Sequence, residues 1–486
     1  MDAPPPAPPA SIIYLSQAGI VADGQSDRAA ALQALFDRAG SGQPIEIVND
    51  LKGILVTSGN DVWPNTTVRS LNGATWRLAP RSTRGILRNK HPLASWPAGA
   101  QRQDGTRCAA PTPPDDTHPL TDTTHGDFNI SIVGGIYDGN RRSGGWPNNG
   151  RTPTNDHPVL GRDDLMVSTL QFHGVKHLLL QGVRVWDSPT LGIHIGNMID
   201  VTARDCEIGC PSVIYASNTD GFHINGPSRN VSIDNMHFYQ TGDDALPLNA
   251  DDSMEGTTDG NQAPFFGMNT GWGPITQVTI RGVCFDRCSE GVRLLSATQR
   301  IDDVLISDVR GTAFWGPVLI DKYLFQHDAG NIGALTLENV HLASLGMQYD
   351  GEAGGAKAPA AGPPREVLVC NTNIESLVLR DVSYTPINAV PWARFTAGKV
   401  TMLSVNGFTC HDTHDASNGM KLFQLDGATC TSALFGGVNW VSTHPQGGSV
   451  VNNHGAIGQL TTAGVALPVE AKALTGTQPT RQKPAD

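Results

Sequence analysis

This sequence is short of charge, of aromatic rings, of cysteine and of long hydrophobic runs, and each shortage excludes something. Asp, Glu, Lys and Arg make up 16% of its 486 residues, against about 25% in an ordinary globular chain. The basic residues are the scarcer sign: 34 Lys and Arg face 46 Asp and Glu, for a net charge of −12 at pH 7. Nothing supplies the cationic track that a phosphate backbone needs, which excludes nucleic acid as a partner. No run of apolar residues is long enough to make a transmembrane helix, so no membrane partner is expected. Eight cysteines are too few for a disulfide scaffold of this length, although an even number permits bridges in an oxidising compartment. Aromatic residues are 6% of the chain, but 39% is apolar overall, enough for a large core. What abounds is Gly, 54 residues or about 11%, above the usual ~7%, together with 33 Pro. Low charge with abundant turn formers points to many short strands and disfavours a helical bundle.

Residues 1–10 (MDAPPPAPPA) read as a Pro-rich linker without the hydrophobic region of a signal peptide. Residues 18–40 read as a Gly-rich turn followed by an amphipathic helix, with Asp27 at its N-cap and Leu32, Leu35 and Phe36 on one face. Beyond it one phrase recurs: three strand residues, a turn pair, another strand. It appears as LLLQGVRVW from Leu178, VTARDCEIG from Val201, VSIDNMHFY from Val231 and VTIRGVCFD from Val278. It returns as VLISDVRGT from Val304, LTLENVHLA from Leu335, LVLRDVSYT from Leu377 and LSVNGFTCH from Leu403. A further strand lines up between copies, as GIHIGN (192–197), GFHING (221–226), ALPLNA (245–250) and GVRLLS (291–296), with Ile193, Ile195, Phe222 and Ile224 facing inward. Uneven steps around a constant phrase mean fixed rungs joined by variable loops. Such rungs cannot bury their apolar face alone and must stack. The expectation is an all-β fold, a single-stranded right-handed parallel β-helix over 11–465, with the first helix covering its open N-terminal edge. An antiparallel β-sandwich has strands at similar spacing but would not keep one phrase in one register. Loops interrupt the ladder at 92–127, 139–160, 250–274 and 346–366, and 466–486 reads as a weakly ordered tail.

The chemistry sits in one column of this ladder. Asn218-Thr219-Asp220-Gly221 precedes one rung and Gly242-Asp243-Asp244 the next, so Asp220 and Asp244 occupy equivalent positions. One rung further the column reaches Glu290. Rungs lie about 4.8 Å apart, so these carboxylates crowd one another, and crowding raises at least one pKa, as a general acid requires. Strict alternation turns Asp220 and Asp244 inward and Asp243 outward; Gly221 and Gly242 allow the chain still to be turning there. Either motif alone is an ordinary Asp/Gly turn; both in one column point to a site. Outward positions alongside are His194, His223, Pro247, Arg293 and Val318. Arg293 could clamp a sugar carboxylate or neutralise Glu290. Trp146, Trp272, Trp315 and Tyr137 are the aromatic residues suited to stacking on sugars.

These motifs, with GGIYDGN before Trp146, LQFHGVKHLLLQGVRVWDSPTLGIHIGN, NTDGFHI and TGDDALPLN, resemble glycoside hydrolase family 28, the polygalacturonases and rhamnogalacturonan hydrolases, from about 128 to 325. The resemblance implies an inverting, metal-independent hydrolysis with no cofactor. Asp243 would be the general acid, and Asp220 and Asp244 would hold the attacking water. General physics asks that acid and base in such an enzyme stand about 6.5–9.5 Å apart. Two departures matter. The family's Gly-His-Gly falls at Ser289-Glu290-Gly291, and its Arg-x-Lys, which grips galacturonate, falls at Val318 and Ile320. Arg293 or Lys322 would have to replace those cations. Glu290, His223, Arg293, His194, Asn218, Lys322 and Trp272 form the expected substrate-binding set. The departures direct the expectation to an acidic or rhamnose-containing heteropolysaccharide, pectin-like or a bacterial exopolysaccharide.

Two other readings stay open at this point. A polysaccharide lyase on the same fold would use Arg293 as base and Ca²⁺ on the carboxylates. A glycan-binding or depolymerase spike of the phage type would be a trimer, where a plain hydrolase is a monomer. The Cys206/Cys210 and Cys284/Cys288 pairs share a spacing, but lie on rungs two apart, about 10 Å, too far for one tetrahedral zinc; no metal is expected. A substrate of this kind implies a secreted or periplasmic protein.

Overall fold

The structure, a computed structural model, describes residues 11–82, 84–92, 126–141, 167–211, 219–251, 273–322, 328–345, 347–348, 360–361, 365–386, 390–412, 420–442, 449–453, 457–465 and 472–475. Thirty of its strands form one continuous sheet whose pairings are parallel; only Met347–Gln348 with Ala360–Ala361 pair antiparallel, apart from it. The recurring phrase stacks on itself at every step. Leu178 pairs with Val201, Val201 with Val231, Val231 with Val278, and so on through Val304, Leu335 and Leu377 to Leu403. This is the right-handed parallel β-helix the repeats require, and it excludes the sandwich.

The turn pair explains why the phrase tolerates so little change. Its second residue is Gly182, Asp205, Asn235, Gly282, Asp308, Asn339, Asp381 and Gly407 in the eight copies, and each has φ between 49° and 76°. Left-handed backbone costs most side chains about 1–2 kcal/mol, and Gly, Asn and Asp least. The polar members also bond from coil to coil: Asn235 Nδ2 donates to Asp205 Oδ1 at 2.7 Å, and Asn339 Nδ2 to Asp308 Oδ1 at 2.6 Å.

Alternate side chains of each strand enter a single apolar core running from Ile13 to Ile457. Ile193, Ile195, Phe222 and Ile224 are fully buried within it, as the alternation demands. At the N-terminal end the helix Ala29–Phe36 buries Leu32 and Phe36, with Leu35 partly buried. Asp27 Oδ1 accepts the Ala29 N–H at 2.9 Å and the Ser58 N–H at 3.0 Å, tying the helix start to the ladder. A strand lies in the segment read as a tail: Lys472–Thr475 pairs with Ser449–Asn453. The long loops fall largely outside the described residues, and with them Trp146.

Candidate active site

The acidic column forms where one turn of each coil opens into a strand. Asp244 pairs with Glu290 and Glu290 with Gly316, while the Gly221 N–H donates to the Asp244 carbonyl at 2.9 Å, which sets Asp220 one coil before Asp244. Small residues follow each acid, and they have to. A Cβ on Gly221 would stand 2.3 Å from the Ala245 carbonyl oxygen, and one on Gly291 2.2 Å from that of Pro317. The two sequence motifs are also stitched together directly, the Gly242 N–H donating to Thr219 Oγ1 at 2.8 Å.

Asp220 and Asp244 are buried and Asp243 is half-buried. Asp220 meets His223 and Asp244 meets Arg293, both at outward positions, so the chain is still turning there and the inward placement of strict alternation does not hold. Asp243, Asp244 and Glu290 each bring a carboxylate oxygen within 4.8 Å of the others. Among the described residues this is the group whose donor set could hold a cation. The approach is also shorter than the acid–base separation general for inversion, so Asp243 and Asp244 alone do not set the distance of a water.

Arg293 neutralises part of this charge. Its Nε and Nη2 take both oxygens of Asp321, at 3.0 and 2.8 Å, and its Nη1 reaches Asp244 Oδ2 at 3.1 Å. Burial works against the guanidinium, but Asp321 and Asp244 outweigh it and hold it charged. Glu290 moves the other way. Burial, then the charge of Asp244 and the contact with it, then Asp243, push its carboxyl well above the ordinary range, with Arg293 opposing. Asp244 Oδ1 and Glu290 Oε2 are both buried without a donor among the described residues. Asp244 and Glu290 are paired on adjoining coils with their side chains in contact, and a proton on Glu290 relieves the repulsion between them.

Several sequence expectations are corrected. His194 and His223, read as exposed groove residues, are 0% and 4% exposed. His223 Nδ1 lies 2.6 Å from Asp220 Oδ2, and Asn225 joins the two imidazoles. Arg293 is engaged directly by Asp244 and Asp321, and its Nε and Nη2 edge is taken by Asp321. Val318 lies in the core opposite Val292; the neighbour of Arg293 is Leu319, because Glu290 pairs with Gly316 and fixes the register. Lys322 is not brought to the acids, since its Nζ donates to the Asp328 carbonyl at 2.5 Å. Tyr137 is core, stacked on Trp76 at 6.1 Å. Asn218 and Trp272 lie outside the described residues. Cys206, Cys210, Cys284 and Cys288 are all free thiols.

Four residues that the motifs did not reveal belong to this neighbourhood. Asp321 ends its strand and carries no pattern of its own. Asn225 and Asn249 face each other on adjacent coils, a match visible in GFHING against ALPLNA. Arg365 is exposed and lies over the Trp315 ring at 3.8 Å, next to Gly316, the partner of Glu290. Burial lowers its pKa, while the charges of Glu366 and Glu290 support its proton.

Residues 128–345 match the family model described as glycosyl hydrolases family 28, which bears out the resemblance over that part of the chain. No curated protein matches. Among solved structures, the chain is similar to the mannuronan C-5 epimerase AlgE6 A-module of Azotobacter vinelandii, at 12% identity and TM-score 0.50, over 96% of this chain and 100% of that one. It is similar to a family 28 exopolygalacturonase of Yersinia enterocolitica, at 15% identity and TM-score 0.50, over 96% and 78%. The catalytic unit of a GH87 α-1,3-glucanase of Streptomyces thermodiastaticus shares 13% identity at TM-score 0.51, over 96% and 70%. At these identities the likeness is one of fold. The family match is what supports a glycan hydrolase.

Proposed function

We propose that this chain, whose residues 128–345 match glycosyl hydrolases family 28, carries out acid/base hydrolysis of a glycosidic bond at its acidic column. The observation that carries the reading is the division of the acids into different environments on adjoining coils. Asp244 is paired with Arg293, Asp220 faces His223, and Asp243 is the more accessible member. Asp243 donates its proton to the leaving glycosidic oxygen. Asp220 and Asp244 hold the attacking water, and one of these carboxylates takes its proton as the water oxygen bonds to the anomeric carbon and the glycosidic bond breaks; a carboxylate offers about four lone-pair sites, so the Arg293 contact leaves Asp244 able to accept. Asp220, on the preceding coil, sets the water's distance from the sugar, and the anomeric centre inverts. Glu290 keeps its proton and supplies it to the Asp244 contact, so the cluster does not carry its full negative charge.

An acidic or rhamnose-containing heteropolysaccharide is the proposed substrate class. Arg293 is engaged, which leaves Arg365, braced on Trp315, as the cation for a uronate carboxylate. Elimination is disfavoured by the same contacts, because a guanidinium held charged by two buried carboxylates is no proton abstractor. Such a substrate lies outside the cytoplasm, in keeping with a secreted or periplasmic enzyme acting as a monomer. The test is reducing-end release from uronate- and rhamnose-containing polysaccharides with ultraviolet monitoring. Asp243→Asn is expected to lose roughly 10²- to 10⁴-fold in kcat while still binding glycan. Ultraviolet-absorbing unsaturated products, or full turnover by Asp243→Asn, would contradict it.

A further inference from the structure

Beside the acidic column runs a buried line of polar side chains that ordinary strand alternation does not explain. His173, His194 and His223 stand on three successive coils, ring against ring, with centroids 4.4 and 5.1 Å apart and nearly perpendicular planes. Gly196 makes room for them: a Cβ there would stand 2.9 Å from His173 Nδ1. Their nitrogens meet end to end. His173 Nε2 is 3.3 Å from His194 Nδ1, and His194 Nε2 is 2.5 Å from Asn225 Oδ1. Asn225 Nδ2 is 3.1 Å from His223 Nε2, and His223 Nδ1 is 2.6 Å from Asp220 Oδ2.

One end of this line can only accept. An ionised Asp220 has no proton to give, so His223 must donate from Nδ1, which in the neutral ring makes its Nε2 an acceptor. Two amides serve that acceptor, Nδ2 of Asn225 and, at 3.4 Å, Nδ2 of Asn249. The orientation of Asn225 then turns its Oδ1 to His194, which donates from Nε2 and accepts at Nδ1, and His173 donates to it from Nε2. With a neutral His223, reversing the amide would set an imidazole lone pair against the carboxylate, so direction and tautomer then follow at every link.

We propose that His173, His194, Asn225 and His223 form a one-way hydrogen-bond chain of neutral imidazoles that orients and polarises Asp220 as the water-holding carboxylate. This rests on the catalytic reading of Asp220 given above. The four act as positioning residues, through Asp220 and not on the sugar. Donation along the chain strengthens each following bond, and the terminal bond favours the ionised carboxylate. Burial keeps His173 and His194 uncharged: it pushes His173 down to about 3 and lowers His194 well below its ordinary value. Among the described contacts, Asp220 is the charged group that meets the chain. At the far end Asn89 Oδ1 accepts the backbone N–H of His173, and Asn89 Nδ2 donates to Asp127 Oδ2.

The test uses the full chain labelled with nitrogen-15 at histidine. Long-range proton–nitrogen spectra at pH 7 are expected to show His223 as the neutral Nδ1–H tautomer. His194 and His173 should be neutral Nε2–H tautomers, unchanged down to about pH 5. His223→Phe should lower kcat by roughly 10- to 100-fold and move the acid limb of the pH profile to higher pH, with KM within about twofold. His173→Phe, at the far end of the line, should move kcat and the acid limb the same way by roughly threefold. A cationic His223, or one protonated at Nε2 alone, overturns the chain; so does a His173→Phe enzyme indistinguishable from the wild type. The spectra need no turnover. Correct tautomers in a protein that cleaves no glycan would therefore refute the hydrolytic reading on which the role rests, and wrong tautomers in an active enzyme would refute the chain alone.

Discussion

Replacing Glu290 by Gln should make the protein more stable as pH rises, relative to the wild type. Burial and the neighbouring Asp244 and Asp243 raise the folded-state pKa of Glu290 well above 4.5. In the unfolded chain the group titrates at its ordinary value. A raised carboxyl contributes its stability below that ordinary value and loses it as pH climbs towards the folded pKa, since only the unfolded chain releases the proton. The slope for one such proton is about 1.4 kcal/mol per pH unit. Between pH 5 and pH 7 the wild type should therefore lose up to about 3 kcal/mol that Glu290→Gln keeps. Gln is close in shape and still offers a donor to Asp244 Oδ1, so the contact survives. Carboxylates held low elsewhere, such as Asp61 beside Arg88 and Arg84, titrate alike in both proteins and cancel in the difference. The assay is urea unfolding of both proteins at several pH values, read as the difference between them. Parallel curves, or a wild type that gains on the variant as pH rises, would refute a proton held at Glu290.

Arg293 should be the more fragile partner: Arg293→Ala strands Asp244 and Asp321 as buried unpaired charges, at a cost of about 3–5 kcal/mol, visible as a fall in unfolding midpoint. Arg293→Lys should recover only part of it, since an ammonium cannot match the fork that holds Asp321. Arg365→Ala should raise KM on a uronate-containing glycan by roughly tenfold and leave KM unchanged on the same glycan after reduction of its carboxyl groups. An equal effect on both glycans would remove Arg365 from carboxylate recognition.

Most of the ladder was legible because its turns are chemically narrow. The step from Leu178 to Leu403 could be counted from the phrase alone, and the left-handed residue closing each turn pair is Gly, Asn or Asp in all eight copies. The acid column was legible for a related reason: Gly221, Ala245 and Gly291 mark where coils press together, and the acids sit immediately before them. What escaped was set by contacts between coils. His194 and His223 alternate outward and so read as exposed, yet they pack edge to face on each other and hydrogen-bond Asn225, forming a second, polar interior. Val318 was misplaced by a single residue, and in a strand one residue exchanges the two faces. Asp321 had no motif to announce it; its role exists only because Arg293 on the adjoining coil points at it.

The most direct measurement is the anomeric configuration of the first product, followed by proton magnetic resonance during cleavage of a defined oligosaccharide. Hydrolysis with Asp243 as acid and water held by Asp220 and Asp244 should release a saturated sugar of inverted configuration. A product of retained configuration, or an unsaturated one, would contradict it.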